Sequence, residues 1–310
     1  MLWRSLDEVP ADLGRTVVVI GNFDGVHRGH QHVLATARAK ADAEGLDVIA
    51  VTFDPHPMAV LRPEHAPTTL TSLQHRAELL EFYGADAVLS VPFDREVAGW
   101  SADDFARRVL VETLRAKHAV VGANFRYGHK ASGDVACLAD FGLGHDFDVQ
   151  AVALDGGPQV WSSTYVRTCI AAGDVAGAAE ALGRPYSVRG VVVKGDQRGR
   201  ELGFPTANVP TEALDAVPPD GVYAGWLTRL DTTERFPAAI SVGTNPTFEG
   251  VVGRRVESYV LDRTDLDLYG VNVQVEFVDR LRGMVAFTGI DPLIEQMHDD
   301  VAKTREVLAL

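Results

Sequence analysis

Two unlike halves are predicted: an α/β domain built on a parallel sheet, then an antiparallel β-barrel with a C-terminal helix. Three observations predict this. In the first half, short apolar runs alternate with amphipathic helical stretches. Beyond "GRPYS" (183–187) short alternating runs follow one another with no long helix between them. The chain has 310 residues, more than one small core usually needs, so two domains, 1–183 and 184–310, are expected.

The elements follow in order. Apolar runs occur at Val17–Ile20, Asp47–Phe53, Ala87–Val91, His118–Gly122 and Val149–Leu154, with helical stretches at Gln31–Glu44, Leu73–Tyr83 and Asp103–Lys117. Buried strands alternating with helices read as βαβ units on a parallel sheet. Such sheets bind ligands beyond the carboxyl ends of their strands. After the first strand comes "GNFDGVHRGH" (21–30), after the second "DPHP", after the fourth "ANFRYGHKASGD", and beyond the fifth "WSSTYVR" (161–167). Glycines, amides, hydroxyls, histidines and arginines thus gather at one sheet edge. Thr168–Leu182 is Ala-rich and reads as a helix. The barrel strands are then Val188–Val193, Val222–Leu227, Ala238–Val242, Val256–Leu261 and Val271–Val278. A final helix starts near "IDPLIEQM", with Asp291 as its cap and Pro292 in its first turn.

Composition narrows the class. Hydrophobic content of 46% and charged content of 23% are ordinary for a soluble globular protein. A net charge of −14 argues against non-specific nucleic-acid binding, which needs a basic face. No apolar run approaches the roughly 20 residues of a membrane span. "MLWRSLDEVPADLGRT" lacks the apolar core of a signal peptide. Cys137 and Cys169 have neither metal nor redox spacing. A reducing cytoplasm is the expected location.

The first candidate site is "GNFDGVHRGH". The chain turns on Gly21 and Gly25, and Gly29 removes bulk between His27 and His30. The two histidines, spaced i and i+3, share a face if a helix begins there. A helix start adds unpaired N–H groups and the positive dipole end, so the pair makes a phosphate cradle. Neither a P-loop nor a GxGxxG fingerprint is present. Two other readings compete: helix-start histidines of no special role, and a zinc site drawing on His32 or His56. "SSTYVR" (162–167) adds helix-capping hydroxyls and Arg167, a phosphate clamp. In "NFRYG", Asn124 suits a base or flavin edge, while Phe125 and Tyr127 either stack on a ring or fill core.

The second candidate is "KGDQRGRELGFPTANV" (194–209). Gly195 and Gly199 allow close approach. Thr206 and Asn208, two apart, face one side of an extended segment and offer hard oxygen donors suited to Mg²⁺. An ordinary loop with a polar strand edge fits the same spacing. Glu257 alternates with Val256 and Ser258 and is either a proton acceptor near a cavity or a solvent-facing strand glutamate.

The HxGH arrangement after a strand resembles the nucleotidylyltransferase superfamily. Taken together, "GNFDGVHRGH", "FDPHP", "NFRYG", "SSTYVR", "GRELGFPTAN", "DGVYAGW", "VGTNPTF", "VESYVLD" and "LYG" resemble the prokaryotic bifunctional riboflavin kinase/FAD synthetase family. The similarity runs from about residue 15 to the C-terminus, and the joint order of the motifs is very specific. The resemblance implies a Rossmann-like nucleotidylyltransferase domain and a riboflavin kinase barrel. It implies phosphorylation of riboflavin to FMN by ATP, then adenylylation of FMN to FAD with release of pyrophosphate, both with Mg²⁺. Carried over, His27, His30 and Arg167 would be catalytic in adenylyl transfer. Gly21, Phe23, Asp24, Gly25, Asn124, Ser163 and Thr164 would line that site, with Asn124 standing where many relatives carry Asp. In the kinase half, Glu257 would take the proton of the riboflavin 5′-hydroxyl. Thr206 and Asn208 would hold Mg²⁺ and ATP phosphate, Gly195, Gly199 and Arg200 would form the nucleotide loop, and Arg282 would lie in a segment closing over the flavin. The expected partners are these small molecules, with no nucleic acid, no membrane and a weak homo-oligomer. A kinase without adenylyl transfer, a cytidylyltransferase for a small phosphorylated alcohol and a flavin carrier are the alternatives.

Overall fold

In the first half, β1 (Leu2–Trp3), β2 (Thr16–Ile20), β3 (Asp47–Asp54), β4 (Ala87–Pro92), β5 (Ala116–Gly122) and β6 (Asp148–Val152) form the expected parallel sheet. Their order is β1-β4-β3-β2-β5-β6, and every pairing is parallel. The computed structural model describes residues 1–153, 161–195, 203–212, 214–244 and 254–310. Two compact units divide the chain, Met1–Ser163 and Thr164–Leu310.

Both faces of the first sheet are covered, which is why its strands read as continuous apolar runs. Val17 and Val19 pack with Leu34, Ala37 and Ala41 of α1 (Arg28–Glu44). Val18 and Ile20 point the other way, into a cluster with Phe105, Val109, Leu110 and Leu138. The remaining helices of this unit are α2 (Pro57–Leu61), α3 (Leu73–Phe82), α4 (Ala102–Phe105) and α5 (Val135–Leu143). Helix α4 runs on as a π-helical stretch, Ala106–Thr113. It does not reach Lys117 as expected, because Arg115 takes φ +48° and turns the chain into β5. Helix α1 starts at Arg28 rather than Gln31, because His27 caps it.

The expected helix 168–182 is two helices, α6 (Ser163–Ala172) and α7 (Val175–Leu182). Gly173, at φ +78°, breaks the run, and Asp174 caps α7 by accepting the Gly177 N–H at 2.8 Å. The antiparallel sheet follows: β7 (Tyr186–Val191), β8 (Thr206–Pro210), β9 (Gly221–Arg229), β10 (Arg235–Thr244), β11 (Arg254–Val260) and β12 (Asn272–Gly283), in the order β7-β12-β9-β10-β11-β8. The sheet curls until the chain leaving β7 meets β8 through the Val193–Asn208 bridge. Its inner face carries Tyr223, Ile240, Val256, Ser258, Val275 and Phe277, all buried. The C-terminal helix spans Ile290–Leu308 with Gly289 at its cap position. Asp291 is therefore not the cap; it lies in the first turn, where its charge still favours the helix start.

Candidate active sites

The first site is a loop held in an unfavourable shape. Between β2 and α1, Phe23, Gly25 and Val26 take φ of +50°, +82° and +43°. Glycine tolerates this region; a β-branched valine does not, and a non-glycine residue held there costs roughly 1–3 kcal/mol. Surrounding bonds over-determine the turn. The Asp24 carboxylate is buried and accepts the Leu70 N–H at 3.1 Å and the Thr71 N–H at 3.0 Å. It also accepts the Thr71 hydroxyl at 3.1 Å, and that hydroxyl oxygen accepts the Gly25 N–H at 3.1 Å. Buried Arg76 stands 4.0 Å from the carboxylate. Asp24 thus shapes the loop, a role the motif alone did not separate from ligand contact.

This loop delivers the histidines. His27 caps α1, its Nδ1 accepting the His30 N–H at 3.4 Å. In the neutral ring that leaves the proton on Nε2. The His27 and His30 rings stack, centroids 3.6 Å apart, and Phe23 meets His30 edge-on at 5.0 Å. A Cβ at Gly29 would lie 3.1 Å from the His27 ring, so a side chain there would press on that ring. Burial, then the charges of His27 and Arg76, hold the His30 pKa well below the ordinary histidine value. His30 is therefore neutral at neutral pH and acts as a dipole and hydrogen-bonding group. Its Nδ1 is buried without a hydrogen-bond partner among the described residues. Among the described residues no group of three or more His, Cys, Asp or Glu is placed to hold a metal ion.

The neighbouring loops converge as the strand order requires. His56 caps α2, its Nδ1 accepting the Met58 N–H at 3.1 Å, and its Nε2 lies 3.4 Å from the Asn22 amide. The Ser163 hydroxyl donates to the Asp24 carbonyl at 2.7 Å, a further bond on the FDG turn. Thr164 and Arg167 belong to the second compact unit. Asn124 is exposed just beyond β5. Tyr127 is core: it is buried, stacks on Phe125 at 5.3 Å, and burial pushes its hydroxyl up to about 12.

The second site is built by strand register. On β8 and β11, Asn208 stands directly opposite Glu257, and Thr206 opposite Tyr259. Residues opposite each other in a ladder share a face, so all four lie on one side. Their neighbours Ala207 and Ser258 pair on the other side, with the core. From β10, Ser241 stands opposite Glu257 on its other flank, a neighbour sequence reading did not supply. The Asn208 amide donates to the Thr206 carbonyl at 3.2 Å. A Cβ on Gly195 would sit 2.6 Å from the Asn208 amide carbon and oxygen. That glycine therefore lies flat against the amide. A cavity of about 290 Å³ opens at this end of the sheet, lined by Gly195, Thr206 and Asn208 and, from the opposite face, by Ala207, Ser258 and Val260. Glu257 is not among its lining residues. Thr206 and Asn208 supply neutral oxygen donors, the type that suits a hard cation arriving with phosphates.

Arg282 forks onto Asp300 of the C-terminal helix, Nε at 2.9 Å and Nη2 at 2.7 Å, and Gln296 supports the same carboxylate at 3.1 Å. It holds that helix to β12. Gly199 and Arg200 lie outside the described residues, as does most of "VGTNPTF".

Residues 9–164 match the family described as FAD synthetase, and residues 182–308 the family described as riboflavin kinase. The chain is 37% identical over 296 residues to the bifunctional riboflavin kinase/FMN adenylyltransferase of Escherichia coli (strain K12), across 95% of this chain and 93% of that protein. It is 36% identical to the protein of the same description from Pseudomonas fluorescens, across 99% and 98%. Among solved structures, a Streptococcus pneumoniae protein described as a macrolide-efflux protein superposes with a TM-score of 0.86 at 30% identity, over 98% of both chains. No helix among the described residues of the present chain is long and apolar enough to cross a membrane.

Proposed function

The chain belongs to the bifunctional riboflavin kinase/FMN adenylyltransferase family, and from that premise we propose which residues carry each half-reaction. It phosphorylates riboflavin to FMN and adenylylates FMN to FAD, with ATP as the donor in both steps.

The proposal assigns the two steps by what each nucleophile needs. Riboflavin offers a neutral hydroxyl, which must lose a proton as it attacks the γ-phosphorus of ATP. Glu257 is the base that accepts it. FMN offers a phosphate oxygen that is already anionic. It attacks the α-phosphorus of ATP, the bond to pyrophosphate breaks, and no base is required. That step needs placement and charge stabilisation. His27 and His30 supply them at the start of α1, with Arg167 as the clamp. Gly21, Phe23, Asp24 and Gly25 shape the phosphate turn, and Asn124, Ser163 and Thr164 complete the binding edge.

In the kinase half, Thr206 and Asn208 hold Mg²⁺ together with the phosphates of ATP, and Gly195, Gly199 and Arg200 form the nucleotide loop. The ion would neutralise charge on the transferred phosphoryl group. Arg282 serves the flavin site by fixing the C-terminal helix through Asp300. The observation that carries the assignment is the ladder pairing of Glu257 with Asn208, which puts a base beside an oxygen donor on one face.

The module boundary is proposed at 183/184 and the location as cytoplasmic. A weak homo-oligomer without nucleic-acid partners completes the proposal; the net charge of −14 supports the last point. The test is a timed chromatographic assay with riboflavin, ATP and Mg²⁺, run beside one starting from FMN, on the unaltered chain, His30→Ala and Glu257→Gln. Loss of FAD alone in the first variant and of FMN alone in the second supports the division. Loss of both activities together in either folded variant refutes it.

A further inference from the structure

Three segments that build the adenylyl-transfer site meet at one side chain that no motif contains. Arg76 lies on α3 and is 3% exposed. Its Nη1 donates to Thr52 Oγ1 at 3.1 Å and to the Phe53 carbonyl at 3.2 Å, both at the end of β3. Its Nη2 donates to the Thr71 carbonyl at 3.3 Å and stands 4.0 Å from Asp24 Oδ1. Thr52 passes the connection on, its hydroxyl donating to the Asn22 carbonyl at 2.9 Å. One guanidinium therefore holds the end of β3, the segment before α3 and, through Asp24 and Thr52, the turn with three positive-φ residues. A rigid planar fork with five N–H donors suits such a junction; an ammonium on a flexible stem does not.

We propose that Arg76 is a positioning residue for adenylyl transfer, fixing from behind the turn that presents His27 and His30 while itself staying off the substrate. This rests on reading those histidines as the phosphate contacts. A second effect accompanies the first. The charged groups acting on His30 are His27 from its own helix and Arg76 from α3, and both favour the neutral ring.

The full chain carries its own control, because riboflavin phosphorylation reports on the other half. Arg76→Met, Arg76→Lys and Thr52→Val are compared for both activities, with an NMR titration of the His30 ring. Arg76→Met is expected to lower kcat/KM for ATP in FAD formation by about 100-fold, with FMN formation within about twofold of the unaltered chain. The His30 pKa then rises. Arg76→Lys keeps the charge, so the His30 pKa stays low, yet FAD formation stays down by about tenfold because the fork is gone. Thr52→Val leaves Arg76 in place, raises KM for ATP several-fold and lowers the melting temperature by a few degrees at most, with FMN formation unchanged.

FAD formation within about twofold of normal in a folded Arg76→Met variant overturns the inference. So does a loss of FAD formation that only tracks the unfolded fraction, with KM for ATP and the His30 titration unchanged. His30→Ala separates the two levels. If that variant still makes FAD, the histidine reading itself fails. If it does not, and Arg76→Met does, the positioning role alone is lost.

Discussion

In the first unit the proposed reacting edge is an irregular turn, and in the second it is a length of regular ladder. The turn places Phe23, Gly25 and Val26 at positive φ and needs Asp24, Thr71, Ser163 and Arg76 to hold it there. The ladder sets Thr206 and Asn208 opposite Tyr259 and Glu257 through ordinary strand pairing. The chemistry explains the contrast. Cradling phosphates calls for backbone N–H groups and imidazoles brought close together, which regular structure does not offer. Deprotonating a hydroxyl beside bound phosphates calls for a carboxylate at a fixed distance from oxygen donors, which a ladder sets for free.

Five substitutions sharpen or break this comparison. The largest effect belongs to Glu257→Gln, which removes the proposed base: FMN formation should fall by about 10²–10⁴-fold while supplied FMN still becomes FAD. His30→Ala follows, with FAD formation down by about 10²–10³-fold and riboflavin phosphorylation near normal. Both are read as initial rates of the two product assays.

Next come two glycine substitutions, one in each half. Gly195→Ala drives a methyl to 2.6 Å from the Asn208 amide, and should cost about 10²-fold in FMN formation alone. Gly29→Ala meets the His27 ring at 3.1 Å, a milder clash, and should cost about tenfold in FAD formation alone. If either substitution impairs the opposite activity equally, the two sites are not independent.

The smallest effect lies at the amino-terminal edge of the first sheet. Glu44 is held down to about 2 by hydrogen bonds from Lys117 and then His118, against an ordinary 4.5. A carboxylate with a depressed folded-state pKa stabilises fully above 4.5, and that contribution drains away as pH falls toward 2. Glu44→Gln should therefore lower the melting temperature by a few degrees at most near neutrality. The gap should close as the medium is acidified through that window, with both activities unchanged at pH 7.

Much of this architecture is legible in the sequence, for identifiable reasons. Val17–Ile20 and Ala87–Val91 stand out because both faces of each strand are buried, so every position but Ser90 is apolar. The histidine loop stands out because its residue types are chemically unusual together. Register is another matter. Alternation places Glu257 on a face but does not name its partner, because Asn208 is distant in the chain and only the pairing of β8 with β11 brings it opposite. Arg76 was hidden differently. It takes a core-facing position in "LQHRAELL" beside Ala77 and Leu80, and a charged residue in such a pattern reads as a helix surface. Its apolar neighbours were the available signal. The end of the helix after Thr113 depended on the backbone of Arg115, which its residue type does not announce.

The pairing of β8 with β11 reaches beyond the protein to its gene. Strand faces alternate residue by residue, so one codon added within Thr206–Pro210 or Arg254–Val260 would exchange Glu257 for Ser258 or Asn208 for Ala207 on the working face. Length within these two strands is therefore constrained alongside residue type, because an added residue not absorbed as a bulge, as β12 absorbs its own register shifts, turns the face over.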